Sequence, residues 1–223
     1  MQILYEDNHV IVVNKSPGEI VQGDKTGDEP LVDKVKSYIK EAYAKPGAVF
    51  LGVVHRLDRP VGGLVVFART SKALSRMNDM FRNGEVKKTY WAIVPKQELS
   101  GEIQTLSHWL IRNEKQNKSY AYDHETPGSK HAVLDYRIIS SSERYSLAEI
   151  HLHTGRHHQI RCQLAKVGLP IKGDLKYGAP RSNPDGSISL IARSIEFIHP
   201  VSKKLIQLTA PLPDDRLWNS FNI

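Results

Sequence analysis

The chain has 223 residues, 40 % hydrophobic and 25 % charged, a globular composition able to bury a full core without metal or disulfide staples. One cysteine, Cys162, excludes an internal disulfide, and no apolar run approaches the roughly 18 residues of a membrane span. A net charge of +7, from 31 Lys+Arg against 24 Asp+Glu, favours a polyanionic partner, because each neutralised phosphate releases a counterion. Glu6 and Asp7 sit where a signal segment would have to be apolar, so a cytoplasmic protein is expected.

In chain order, residues 2–5 and 9–13 read as short strands, followed by a turn at Ser16-Pro17-Gly18. Leu31, Val35, Tyr38 and Ile39 share one helical face, and that helix ends before Pro46. Residues 64–68 form a continuous apolar run, the pattern of a strand covered on both faces. Ala73, Leu74, Met77, Met80 and Phe81 define a second helix, with Thr70 or Ser71 to cap its start and Gly84 its end. Residues 86–94 alternate, setting Tyr90, Ala92 and Val94 against Trp91 and Ile93. The polar stretch 112–131 reads as an exposed connection or ragged hairpin. Strands follow at 133–139 and 147–153, and Ile160, Leu164 and Val167 mark a short helix closing at Gly168 and Pro170. Residues 178–187 read as a loop before strands at 190–197 and 205–208. Eight strands and three or four helices out of strict alternation predict an α+β fold with a mixed, mostly antiparallel sheet flanked by helices. With no repeat and no linker, residues 1–223 are expected to form a single domain.

Three segments could carry chemistry. His55-Arg56-Leu57-Asp58 precedes the buried strand and is followed by Arg59 and Gly62-Gly63. A carboxylate flanked by arginines stays ionised, as a nucleophile must, and glycines let backbone approach a ligand. Taken alone, the same residues also fit an exposed loop with local Arg–Asp pairing. Thr154-Gly155-Arg156-His157-His158-Gln159-Ile160-Arg161 runs from a strand end into a helix start, where free backbone N–H groups suit anions; a solvated basic helix end is the competing reading. Tyr90 is either an ordinary core tyrosine or a ring on which an RNA base stacks. His151, His153, His157 and His158 could present imidazoles to zinc, but no Cys pair, HExxH or acidic triad accompanies them, and no metal is expected.

These segments, in this order, resemble the RluA-type pseudouridine synthase family. YEDNHVIVVNKSPG (5–18), HRLDRPVGGLVVFART (55–70), KKTYWAIV (87–94), TGRHHQIRCQLAKVGLPIKGDLKYG (154–178), FIHP (197–200) and APLP (210–213) look like the family's successive blocks and are spread over almost the whole chain. The resemblance implies an isomerase that converts uridine to pseudouridine in ribosomal or transfer RNA without a cofactor. It implies that Asp58 is the nucleophile, that Tyr90 stacks on the uracil and takes a proton, and that Arg161 salt-bridges the aspartate. It further implies that Arg56 fills the gap left by a flipped nucleotide; His55, Arg156 and Gln159 are the remaining expected substrate-binding residues. Two departures stand out: many relatives have Thr-Ser-Gly at Val61-Gly62-Gly63, and Lys-Pro-x-Gly at Lys15-Ser16-Pro17-Gly18. Relatives often carry an N-terminal S4-type RNA-binding domain, whereas here the first block starts at residue 5, so none is expected. A monomer without obligate protein partners is expected. The rival readings are a non-catalytic RNA-binding factor on the same scaffold, and a glycosidase, which lacks a second acid near Asp58.

Overall fold

The computed structural model describes residues 1–221, and the last two residues of the expected 1–223 domain lie outside it. Its strands are β1 (Gln2–Glu6), β2 (Val10–Lys15), β3 (Gly52–Val53), β4 (Gly62–Ala68), β5 (Lys87–Pro95), β6 (Gln104–Asn113), β7 (Lys118–Tyr122), β8 (Lys130–Ser141), β9 (Tyr145–Leu152), β10 (Leu190–Ile198) and β11 (Leu205–Thr209). The helices are α1 (Leu31–Ala42), α2 (Ser71–Arg82), α3 (Gln159–Lys166) and α4 (Arg216–Asn219). The α+β expectation holds, with eleven strands among the described residues where eight were expected. The chain divides into two compact units, Met1–Lys87 with Ala192–Pro211, and Lys88–Ile191 with the segment from Leu212 onward.

In the first unit, β2 pairs antiparallel with both β1 and β4, β3 adds to β4, and β11 adds to β10. Val10 to Val13 and Val65 to Ala68 are wholly buried, as their unbroken apolar runs require. The amphipathic patterns of α1 and α2 bury Leu31, Val32, Val35 and Ile39 on one helix and Ala73, Met77 and Met80 on the other. Thr70 caps α2 as expected, its hydroxyl accepting from the Ala73 N–H at 3.1 Å. The FIHP block has a structural purpose: buried His199 accepts from the Val201 and Ser202 N–H groups at Nδ1 and faces Asp7 Oδ2 with Nε2 at 2.8 Å. That contact ties the end of the unit to its first turn.

In the second unit the antiparallel order is β5-β9-β8-β6-β7. Helix α3 packs against β6 and β7. Inward-facing Leu106, Leu110, Ala132 and Leu134 alternate with outward residues along β6 and β8. Three strands were not expected. β3 is only two residues long, too short to show a period, and β6 and β7 lie in stretches whose outward face is polar or aromatic. Of the two readings of 112–131, an exposed connection or a ragged hairpin, the hairpin is present, built from the end of β6, a turn and β7. α4, also unforeseen, starts at Asp215, whose carboxylate accepts from the Leu217 and Trp218 N–H groups.

Candidate active site

Asp58 sits on the connection from β3 to β4, half-buried, and its backbone carbonyl accepts from the Val61 N–H at 3.0 Å. The loop is held from below by Lys15, the last residue of β2, which is 1 % exposed. Its ammonium donates to the carbonyls of Ser16 (3.1 Å), Arg59 (3.1 Å) and Val61 (2.6 Å), so all three N–H bonds are used. Burial pushes the Lys15 pKa down to about 8, with the neighbouring charge of Arg59 acting the same way, while the carboxylates of Glu19 and Asp58 oppose the shift. A further backbone bond, Gly18 N–H to Arg59 O at 2.8 Å, closes the same turn.

The two glycines after this loop are needed for different reasons. A Cβ on Gly62 would lie 3.3 Å from Pro17 Cδ, a tight contact. Gly63 has φ +108°, and a Cβ there would come within 2.3 Å of the Ala192 carbonyl oxygen, so no other residue fits.

His55 is half-buried; its Nε2 accepts the Val66 N–H at 3.0 Å and its ring stacks on Phe81 with centroids 4.9 Å apart. The neutral ring therefore carries its proton on Nδ1, and His55 positions the loop base. Arg56 is exposed. Arg59 does not flank Asp58 as a partner: its guanidinium bonds Asp28 at 2.6 Å and Thr26 at 2.8 Å, fastening the 24–28 segment.

The remaining expected residues belong to the second unit. Tyr90 on β5 is 7 % exposed, inward as its alternation predicts, and pairs in register with Ile150 of β9. The turn into α3 passes through His158, whose left-handed backbone (φ 51°) redirects the chain. Gln159 braces this turn: its amide oxygen accepts from Thr154 Oγ1 and the Arg156 N–H at 2.8 and 2.9 Å, and its nitrogen donates to Val133 O at 3.1 Å. Gln159 is 3 % exposed, and its amide is engaged by the loop. Arg156 is exposed and anchored by Nε to the His131 carbonyl at 3.0 Å.

Arg161 lies in a buried polar network that sequence reading did not anticipate. Its Nε and Nη2 donate to both oxygens of Asp174 at 2.6 and 2.9 Å, a bidentate pair in which the side chains are 6 % and 1 % exposed. Nη1 meets His158 Nε2 at 3.0 Å, and His158 Nδ1 meets the Tyr177 hydroxyl at 2.9 Å, which in turn accepts the Ser119 N–H at 2.7 Å. Asp174 is the one carboxylate between residues 150 and 184, an acid alone in a basic block, and that isolation was the available signal.

His158 is neutral in this network. Burial, reinforced by the charge of Arg161, pushes its pKa down to about 2. In the unfolded chain the same imidazole takes up a proton near pH 6.5. Between these values the unfolded state binds more protons, so stability falls as pH drops below about 6.5. In urea melts the wild type is expected to lose stability relative to His158→Gln between pH 6.5 and 4; a pH-independent difference would refute the assignment.

Of the four histidines considered as metal ligands, His157 and His158 stack ring on ring with centroids 3.8 Å apart, and the other two have partners of their own. His153 pairs with Asp135 at 2.6 Å, His151 lies near Thr89 and Glu149, and His157 meets Ser119 Oγ. Among the described residues no group of three His, Cys, Asp or Glu is placed to hold a metal.

The family model for RNA pseudouridylate synthase matches residues 9–166, a span that includes Asp58, Tyr90 and Arg161. An uncharacterised RNA pseudouridine synthase of Bacillus subtilis (strain 168) is 31 % identical over 218 residues, covering 96 % of this chain and 70 % of the relative. Ribosomal large subunit pseudouridine synthase D of Xylella fastidiosa is 32 % identical over 229 residues, covering 96 % of this chain and 67 % of that protein. The solved structure of human RNA pseudouridylate synthase domain containing 4 shares the fold, with a TM-score of 0.79 at 23 % identity over 98 % of this chain and 90 % of that one. The chain belongs to the RNA pseudouridylate synthase family and is an RluA-type isomerase of uridine in RNA.

Proposed function

We propose that this protein isomerises uridine to pseudouridine in structured RNA, ribosomal or transfer, with Asp58 as the nucleophile on a uridine flipped from its stack. The Asp58 carboxylate attacks ribose C1′ or uracil C6, the C1′–N1 bond breaks, the uracil turns while held, C5 bonds to C1′, and the bond joining Asp58 to its adduct breaks to return the free carboxylate. C5 loses its hydrogen as a proton to a base and N1 ends protonated, so the composition of the base is unchanged and no cofactor is required. Tyr90 and Arg161 take the roles the resemblance implies, uracil stacking with proton transfer and charge pairing with the nucleophile. Arg56 and Arg156 contact the RNA, whereas His55 and Gln159 position the loops that carry them. The whole chain serves as one catalytic domain, acting as a cytoplasmic monomer without a protein partner.

The observation that carries this reading is the placement of Asp58 on a loop whose carbonyls are clamped by Lys15, which gives a reacting carboxylate a fixed backbone. Ribosomal RNA is the favoured substrate, because a relative covering almost this entire chain is named for the large ribosomal subunit. The test is tritium release from RNA labelled at uracil C5, since bond formation at C5 expels that hydrogen. Release is expected from unmodified large-subunit ribosomal RNA. No release from any ribosomal or transfer RNA fraction would overturn the proposal.

A further inference from the structure

The face of the second unit's sheet opposite α3 is open, and it carries an aromatic row. Along the edge strand β7, Tyr120 and Tyr122 point outward at 39 % and 41 % exposure. Tyr122 pairs in register with Trp109 of β6, and Trp109 with His131 of β8, so three rings lie side by side across three strands. The Trp109 and His131 rings are 5.0 Å apart at 42°. At the sheet edge Lys118 holds its ammonium 5.4 Å from the Tyr120 ring and 5.2 Å from the ring of Tyr177, and Arg156 is anchored to the His131 carbonyl at the other margin. Acids near this face are already engaged: Asp123 with Lys166 at 3.0 Å, and Asp135 with His153 at 2.6 Å.

Edge strands ordinarily carry charges or bulges that discourage association, and exposed tyrosines here run against that rule. We propose that this face binds an unpaired stretch of the RNA substrate, its bases stacked on Tyr120, Tyr122 and Trp109 and its phosphates met by Lys118 and Arg156. The choice of RNA as ligand rests on the function proposed above; the platform itself rests on the sheet. Residues two apart on a strand set their rings about 7 Å apart, roughly twice the spacing of stacked bases. The bases must therefore splay, one to a ring, which a single strand permits and a duplex does not. Such a surface tolerates any base, so it supplies affinity while the catalytic residues select the uridine.

The experiment is fluorescence anisotropy with a labelled single-stranded oligouridylate and with a duplex of equal length. It compares the wild type, Tyr120→Ala/Tyr122→Ala and Tyr120→Phe/Tyr122→Phe. Stacking one base is worth roughly 5- to 150-fold in affinity, so the alanine variant is expected to bind at least about tenfold more weakly. The phenylalanine variant keeps both rings and should bind as the wild type does, and the duplex should compete poorly. Equal binding by the alanine variant, no binding by the wild type, or equal binding of duplex and single strand would each overturn the proposal. So would light scattering showing that the tyrosines hold two copies of the chain together. A wild type that binds the oligonucleotide but releases no tritium would sink the proposed reaction and leave the platform standing.

Discussion

Asp58→Ala and Asp58→Asn are both expected to abolish tritium release from C5-labelled RNA, by at least about 10³-fold in kcat/KM, while leaving RNA binding in place. The asparagine variant is the sharper of the two, because it keeps the volume and planarity of the side chain and removes only the nucleophilic charge. The loop beneath Asp58 is held through backbone groups: Lys15 grips backbone carbonyls, and Val61 donates to the Asp58 carbonyl. Circular dichroism should therefore report a folded protein in both variants. Measurable release by Asp58→Asn would assign the nucleophile elsewhere.

Asp174→Ala should be the most destabilising single change in the second unit. It removes the bidentate carboxylate from an Arg161 guanidinium at 5 % exposure, and breaking a buried ion pair from one side costs about 3–5 kcal/mol. At about 2–4 °C per kcal/mol for a chain of this length, Tm should fall by roughly 6–20 °C. Asp174→Asn retains an acceptor and should lose less. The double variant Arg161→Met/Asp174→Leu removes both charges of the bidentate pair and should be more stable than Asp174→Ala, because the two side chains are coupled and an apolar pair replaces them. Calorimetry decides: a double variant less stable than Asp174→Ala would show that the pair is not coupled as described.

How much of this could be read in advance depended on whether a residue's partner was near in sequence. α2 and its Thr70 cap, the buried run of β4 and the inward Tyr90 followed from local periodicity, and each is present. β6 and β7 escaped because their exposed faces carry Trp109, Tyr120 and Tyr122, which blur the alternation that marks a half-buried strand. The pairing of Arg59 with Asp24 and Asp28 reverses the local reading, in which its nearest acid in sequence was Asp58. Lys15 and Asp174 were quoted as motif letters only. Their work is done through Val61, 46 residues away, and Arg161 on another element, contacts that no spacing rule encodes.

The Lys15 clamp also bears on why Val61-Gly62-Gly63 can replace a more hydroxylated segment. With the flanking carbonyls held by one ammonium and Gly63 alone able to adopt its backbone, loop shape is independent of side-chain hydroxyls at 61 and 62. Ordering a residue costs about 1–2 kcal/mol of conformational entropy, and here that cost falls on folding rather than on the encounter with RNA. The loop carrying Asp58 is thus preorganised through its backbone, and sequence drift at Lys15 or Gly63 would undo it.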